Sequence, residues 1–190
     1  MAIEELIVEL SKDPFNSRKN FDAAVEYEKI NQTASAVSFY LRAVEYGTED
    51  DKEVMYTSLL KMAHCFNDQK GREQSVTNAL LQAITVLPER PEAYFKMSQY
   101  FERAGQWQET YSWAVMGLHA EEHRLVEMKG LPADVEYKGK YCLLFEKAVS
   151  AWWIGRPEES KYLFNHLLKK YKMTDDYIQS CERNLANIDK

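Results

Sequence analysis

Residues 91–118 read PEAYFKMSQYFERAGQWQETYSWAVMGL, and they are the most informative stretch of the chain. Its apolar residues recur at steps of three and four as far as Phe101, which predicts a helix with one apolar face. Gly105 then interrupts the pattern, as expected where a helix ends. A second apolar series begins at Trp107. The stretch therefore predicts two antiparallel helices joined by a tight turn.

Small residues occupy the places where the two predicted helices must approach each other closely, and they are Ser98, Ala114 and Gly117. Comparable helix pairs recur along the chain, and the small residues of their first helices are Ala24, Ala63, Ser98 and Ala148. This series resembles the tetratricopeptide repeat (TPR), whose period is about 34 residues. The middle interval fits this period well, the first carries a few extra residues, and the last contains an insertion.

The resemblance implies an all-α fold, a right-handed superhelical TPR-like solenoid of about four antiparallel helix pairs plus terminal helices, in a single domain over 1–190. Gly and Pro residues and a loss of periodicity predict an irregular insertion at about 122–139. A last amphipathic segment predicts a capping helix at about 175–188, since the open end of a solenoid needs a polar cover. Near the start, Pro14 predicts the first turn of a helix that reaches about Ile30.

Composition and charge argue against several classes of partner. The net charge of −6 and the pI near 5.4 disfavour a general nucleic-acid binder and an electrostatic membrane anchor. No apolar run approaches the ~20 residues of a spanning helix, and the first residues do not resemble a secretory signal. Three widely spaced cysteines are typical of reduced thiols. We therefore predict a cytoplasmic protein with no nucleic-acid and no membrane partner.

Few residues suggest chemistry. The sequence contains no phosphate-binding loop, nucleophile elbow or C-x-x-C motif. His119 and His123 have a spacing that can bind a metal, but no third ligand is marked and the order is not that of a metalloprotease. Cys65 follows His64, and neighbouring side chains on a helix diverge by about 100°. We predict no enzyme activity, no metal and no cofactor. A small metal- or thiol-dependent enzyme that uses these residues is an alternative.

In the TPR family the first helix of each pair lines a concave groove that binds an extended peptide or a partner helix. Carried over to this sequence, the groove positions include Phe21 and Val25, and the groove residues that we expect to bind a partner are Lys29, His64, Asn67, Phe95, Gln99, Arg103, Phe145, Val149 and Trp152. The Lys and Asn clamp that one subfamily uses for a chaperone C-terminus is absent at the matching positions. The resemblance implies a non-catalytic interaction module or scaffold for an unidentified protein or peptide. The negative net charge favours a partner with a basic stretch.

Adjacent tryptophans cannot both face one core stripe. For Trp152 and Trp153 we expect one ring to pack inward while the other reaches the concave surface or the next helix, where tryptophan is a frequent interface anchor. Two purely structural tryptophans are the alternative.

Residues 88–171 also resemble the helical-repeat module that follows some glycosyltransferase domains. This second resemblance implies an alternative function, as an accessory module of a glycan-modifying system with a glycosyltransferase as its partner. Self-association stays open as a further alternative.

Overall fold

A computed structural model describes residues 3–69, 71–124 and 128–188. These residues form ten α-helices and a 3₁₀ turn (Glu49–Asp51) and contain no strand, so the predicted all-α class is confirmed. The helices are α1 (Ile3–Lys12), α2 (Ser17–Lys29), α3 (Thr33–Glu45), α4 (Lys52–Asn67), α5 (Glu73–Val86), α6 (Pro91–Arg103), α7 (Trp107–Glu122), α8 (Lys140–Trp153), α9 (Pro157–Lys170) and α10 (Asp175–Ile188).

The start of α2 differs from the sequence-based expectation. Pro14 lies in a turn before the helix, and α2 begins at Ser17. The cap is Asn16, whose side chain accepts a hydrogen bond from the Lys19 amide at 3.0 Å. Because an asparagine cap satisfies an amide that the first turn leaves free, it sets the boundary here, and the proline does not.

The chain divides into two compact units. Unit 1 comprises Met1–Pro88 with Val126–Val135, and unit 2 comprises Glu89–Leu125 with Glu136–Lys190. The single domain over 1–190 stays a prediction. Of the predicted insertion, residues 123–124 and 128–139 contain no helix, and residues 125–127 lie outside the described residues.

The turns inside the helix pairs share one backbone feature. Each contains a residue with a positive φ, and these are Asn31 (58°), Gly71 (74°), Gly105 (69°) and Gly155 (78°). In the turn after α6, the Gln106 amide donates to the Phe101 carbonyl at 2.9 Å, and the turns after α2 and α8 repeat this bond. This is the Schellman arrangement, which favours glycine because L side chains rarely adopt a left-handed backbone.

The small residues of the first helices are all buried, as the repeat spacing predicts, and they are Ala24, Ala63, Ser98 and Ala148. Hydroxyl groups at these contacts also bond across the helix pair. Ser98 Oγ donates to the Thr110 carbonyl at 3.1 Å, and Ser160 Oγ donates to the Ala148 carbonyl at 2.7 Å. A small side chain at such a position lets the backbones approach closely enough for these bonds to form.

In unit 2, α7 packs directly against the first turns of both α6 and α8. A Cβ atom added at Gly117 would lie 2.8 Å from Tyr94 Cβ and 3.0 Å from both terminal methyl groups of Leu143. Tyr94 belongs to the start of α6, and Leu143 to the start of α8. Since the carboxyl-terminal half of α7 touches both starts, α6 and α8 run in the same direction, antiparallel to α7.

A polar cluster joins α7, α8 and α9 near Tyr111. The Tyr111 hydroxyl donates to Glu159 Oε1 at 2.9 Å and accepts from Arg156 Nη1 at 3.0 Å. The Lys147 ammonium lies 2.9 Å from Glu159 Oε1, and the Arg156 guanidinium lies 4.8 Å from the centre of the Tyr111 ring. These contacts fix the relative position of three consecutive helices of unit 2.

We predict that Ala114→Leu destabilises the chain by about 1–3 kcal/mol, the range typical of overpacked cores. Ala114 is fully buried on α7, so a larger side chain has no space without helix displacement. The matched control is Val115→Leu on the exposed neighbour, which should change stability by no more than about 0.5 kcal/mol. Thermal melting followed by circular dichroism measures both. Equal melting temperatures for wild type and Ala114→Leu would contradict the close packing.

Candidate interaction surface

Three predicted groove residues of unit 2 reach solvent at the carboxyl-terminal halves of α6 and α8. Arg103 is the last residue of α6 and is exposed, and Gln99 is partly exposed one turn earlier. Trp152 lies in the last turn of α8 with 39% of its surface exposed. Because α6 and α8 run in the same direction from starts that α7 holds together, these side chains lie at the same end of unit 2.

The other predicted groove residues of unit 2 lie in or against its core. Phe95 is only 1% exposed, and the Tyr137 ring lies 5.4 Å from its ring. Phe145 is partly buried, with its ring 5.0 Å from that of Tyr177 on α10. Val149 packs against the same core. The structure therefore places Phe95 beneath another ring, and not on an open surface.

The predicted residues of unit 1 are exposed and polar. Lys29 is exposed at the end of α2, where its ammonium pairs with Glu26. His64 and Asn67 are exposed in the last turn of α4. An ion pair of 3.2 Å between Lys61 Nζ and Glu28 Oε1 joins α4 to α2. Unit 1 thus presents charged and amide groups at the ends of its first helices.

A cleft of about 240 Å³ lies in unit 1 beside α2. Its lining residues are Leu6, Phe21, Asp22, Val25, Glu26, Pro132 and Ala133. Phe21 and Val25 occupy positions that the TPR resemblance assigns to the groove, whereas Pro132 and Ala133 belong to the insertion. In unit 1 the insertion therefore lies against the groove side of a first helix.

In unit 2 the insertion contributes a cluster that sequence reasoning missed. The Tyr137 hydroxyl donates to Glu121 Oε2 at 3.0 Å. The preceding residue, Glu136, accepts from Lys96 Nζ at 2.7 Å. Burial first, and then the nearby Glu121 carboxylate, raise the pKa of Tyr137, so its phenol stays protonated and donates. Tyr137 is the single Phe, Tyr or Trp residue within 122–139, and this was the available signal.

The tryptophan pair differs from the expectation that one ring packs inward. Both rings are exposed, Trp152 by 39% and Trp153 by 59%. Trp153 stacks on Trp107, the first residue of α7, with ring centres 5.1 Å apart and planes 12° from parallel. The core positions of this turn are taken by the smaller Ala148 and Ala151. Each tryptophan is therefore outside the core stripe of α8.

A buried carboxyl group lies on α8 of unit 2. Glu146 is 3% exposed, and its Oε2 atom has no hydrogen-bond partner among the described residues. Burial is the main cause that raises the pKa of Glu146 to about 8, the Glu102 carboxylate adds to it, and Arg103 opposes it. Near neutral pH the group is therefore mostly protonated, and it becomes charged only in alkaline solution.

The alternative of an enzyme would use His119, His123 and Cys65. The rings of His119 and His123 are 4.0 Å apart, but the described part of the chain holds no group of three potential metal ligands. Cys65 is buried, and desolvation, with smaller effects from Glu28 and Asp68, raises the pKa of its thiol to about 11. A nucleophilic thiol needs the opposite shift.

The described helices offer no membrane span, since none combines the necessary length and apolar character. No protein-family model and no curated protein matches the sequence. The fold, in contrast, matches solved structures, so the architecture is the informative comparison.

Three of the matching structures serve as examples. YrrB, described as a TPR protein with an unusual peptide-binding site, matches with a TM-score of 0.68 and 11% identity over 98% of this chain and 83% of its own. PilW, a type IV pilus biogenesis factor, matches with a TM-score of 0.66 and 14% identity over 93% of this chain and 72% of its own. A TPR protein from Parabacteroides merdae matches with a TM-score of 0.67 and 17% identity over 98% of this chain and 64% of its own.

The paired helices, their left-handed turns and these matches define an all-α helical-repeat protein. More narrowly, its fold is that of the TPR proteins, as the repeat spacing predicts. The likeness of residues 88–171 to a module of glycosyltransferases is not tested by these matches and stays a prediction.

We predict that the free energy of unfolding falls as the pH rises from about 4.5 to about 8, in part because of Glu146. Below its ordinary pKa of 4.5 the group is protonated in both states. Above that value the unfolded chain releases the proton more readily, until the native group also ionises near pH 8. Glu146→Gln should remove this slope and be more stable than wild type at pH 8 by a few kcal/mol, since one pKa unit corresponds to about 1.4 kcal/mol.

Urea unfolding at pH 5 and pH 8 measures this difference. Glu109→Gln, at an exposed position of α7, is the matched control and should follow wild type at both pH values. An unchanged pH slope in Glu146→Gln would show that Glu146 is ionised in the folded chain at neutral pH.

Proposed function

We propose that this chain is a non-catalytic interaction module that binds a protein or peptide partner through the first helices of its pairs. The observation that carries the proposal is the group of Gln99, Arg103 and Trp152 at one end of α6 and α8. Arginine and tryptophan are over-represented among residues that dominate binding energy. The Trp152 ring and the Arg103 guanidinium are therefore the side chains of this end that we expect to contact a partner.

The comparisons support this proposal through the fold. The description of YrrB names a peptide-binding site in a TPR protein whose structure aligns with nearly all of this chain. Since unrelated functions share folds, the argument for this chain rests on its own exposed residues. The proposal also includes the exposed polar side chains at the ends of the first helices of unit 1, which we expect to contact a partner; they are Lys29, His64 and Asn67.

The chemistry of the exposed residues indicates the type of contact. In unit 2 the exposed set combines one large aromatic ring, one guanidinium group and one amide. Such a set suits a segment that offers apolar side chains together with backbone carbonyls or carboxylates as hydrogen-bond acceptors. The cytoplasmic location predicted from the sequence is part of this proposal.

We predict that Arg103→Ala combined with Trp152→Ala weakens binding of a protein partner by at least ~2 kcal/mol, the scale of a hot spot. The partner is first isolated by affinity purification, and its affinity is then measured by isothermal titration calorimetry. The helical circular dichroism signal should not change, because both side chains are exposed.

The matched control is Tyr162→Ala combined with Arg183→Ala, which removes an exposed aromatic ring and an exposed guanidinium from α9 and α10. It should leave the affinity unchanged. If the control pair weakens binding and the Arg103 and Trp152 pair does not, the partner binds a different face of unit 2.

A further inference from the structure

Within unit 2, the insertion places two adjacent residues, Glu136 and Tyr137, against α6, the first helix of the pair α6 and α7. The Tyr137 ring covers Phe95, and the Tyr137 hydroxyl reaches Glu121 on α7. The Glu136 carboxylate meets the Lys96 ammonium at 2.7 Å. Lys96 also lies 6.0 Å from the centre of the Phe95 ring, so the two contacts are adjacent on α6.

The backbone at Glu136 suggests that these contacts hold the segment in place. Glu136 has φ of 63°, in the left-handed region that a side chain with a Cβ atom disfavours. Such a conformation persists when surrounding contacts offset its cost. Here the ion pair to Lys96 and the partly buried phenol of the next residue are the contacts that do so.

The composition of the site defines what it accepts. Phe95 provides an apolar floor, the Lys96 ammonium a cation, and the Glu121 carboxylate an acceptor for a hydroxyl. Lys96 is largely enclosed, with 19% of its side chain exposed, whereas Glu136 is 72% exposed. The Lys96 ammonium is therefore enclosed in this arrangement, while the Glu136 side chain that meets it is mostly exposed to solvent.

We propose that this site recognises a peptide in which an acidic residue is followed directly by an aromatic residue, and that Glu136–Tyr137 is a resident copy of that motif. The inference deepens the proposed function, on which it rests. It assigns the partner of unit 2 a local acidic–aromatic motif, whereas the net charge of the whole chain favours a basic one.

Occupation by the resident motif lowers the apparent affinity for any added peptide. A short tether gives the attached segment an effective concentration in the millimolar range. The apparent dissociation constant is the intrinsic one divided by the fraction of molecules with a vacant site. A partner must therefore displace Glu136–Tyr137, and removing these side chains should increase its affinity.

The test uses the full chain and a fluorescein-labelled peptide with the sequence LPADVEYKG, which is that of residues 131–139. In the vacated variant, Glu136→Ala combined with Tyr137→Ala, we expect the peptide to bind at least about tenfold more tightly than in wild type. Fluorescence anisotropy gives the affinity. Shifts of the Phe95 and Lys96 amide signals in NMR spectra locate the bound peptide. Equal affinities for wild type and a folded vacated variant would overturn the proposal.

A charge reversal provides a matched control. Lys96→Glu in the vacated background should weaken binding of the Glu-containing peptide about tenfold, and the peptide with Glu136→Lys should restore it, because the ion pair is then re-formed with the opposite polarity. If the vacated variant loses its helical signal, the single variant Glu136→Gln is used in its place, since this change keeps the aromatic contact of Tyr137. It should raise the peptide affinity about threefold, and no rise would overturn the proposal.

Two other outcomes separate the inference from the proposed function. If the peptide does not bind, while Arg103→Ala with Trp152→Ala weakens a protein partner, the acidic–aromatic assignment fails and the interaction module stands. If wild type forms a dimer that the vacated variant does not, a second copy supplies Glu136–Tyr137, and the assignment to a foreign peptide fails. Sedimentation equilibrium measures whether wild type and the vacated variant are monomers or dimers.

Discussion

Neighbouring helices of this chain pack through the close approach of their backbones at small residues. Gly117 shows it most clearly, because its backbone lies against Tyr94 and Leu143 at distances that leave no space for a methyl group. That contact brings the starts of α6 and α8 to the same place on α7. Their parallel course follows from it, and so does the gathering of Gln99, Arg103 and Trp152 at one end of unit 2. The left-handed turns have the complementary role, since each reverses the chain so that the next small residue meets its neighbour.

The aromatic residues of unit 2 divide into two groups with different consequences. Phe95 and Phe145 are covered by Tyr137 and Tyr177, and their burial contributes to the core. Trp152 and Trp153 remain exposed beyond the core stripe of α8, with Trp153 supported by Trp107. The exposed end of α8 therefore carries two aromatic rings, while Phe95 at the start of α6 is covered by Tyr137. The insertion thus determines which part of the first-helix surface is open.

Much of the fold could be predicted from the sequence, and less of the candidate site. Helix type follows from periodicity and turn chemistry, both of which are local, so α6, Gly105 and α7 were assigned correctly. The predicted start of α2 was wrong because two local signals competed. Pro14 indicated a first helical turn, but the Asn16 side chain formed the cap. The exposure of Arg103 and Trp152 followed from the repeat register. The covering of Phe95 did not, because it depends on Tyr137, which is more than forty residues away in the sequence.

The class of fold, the pairing of helices and the burial of the small residues could be derived from the sequence alone, because these depend on spacings of three to about 35 residues that repeat along the chain. The position of the insertion and the exposure of each aromatic ring become known only from the packed helices. The same holds for Glu146, which is enclosed without a hydrogen-bond partner for its Oε2 atom among the described residues. An irregular segment has no periodicity from which its position can be derived. Its side chains settle where particular partners meet them, as Glu136 does at Lys96, and such contacts exist only once the helices have packed.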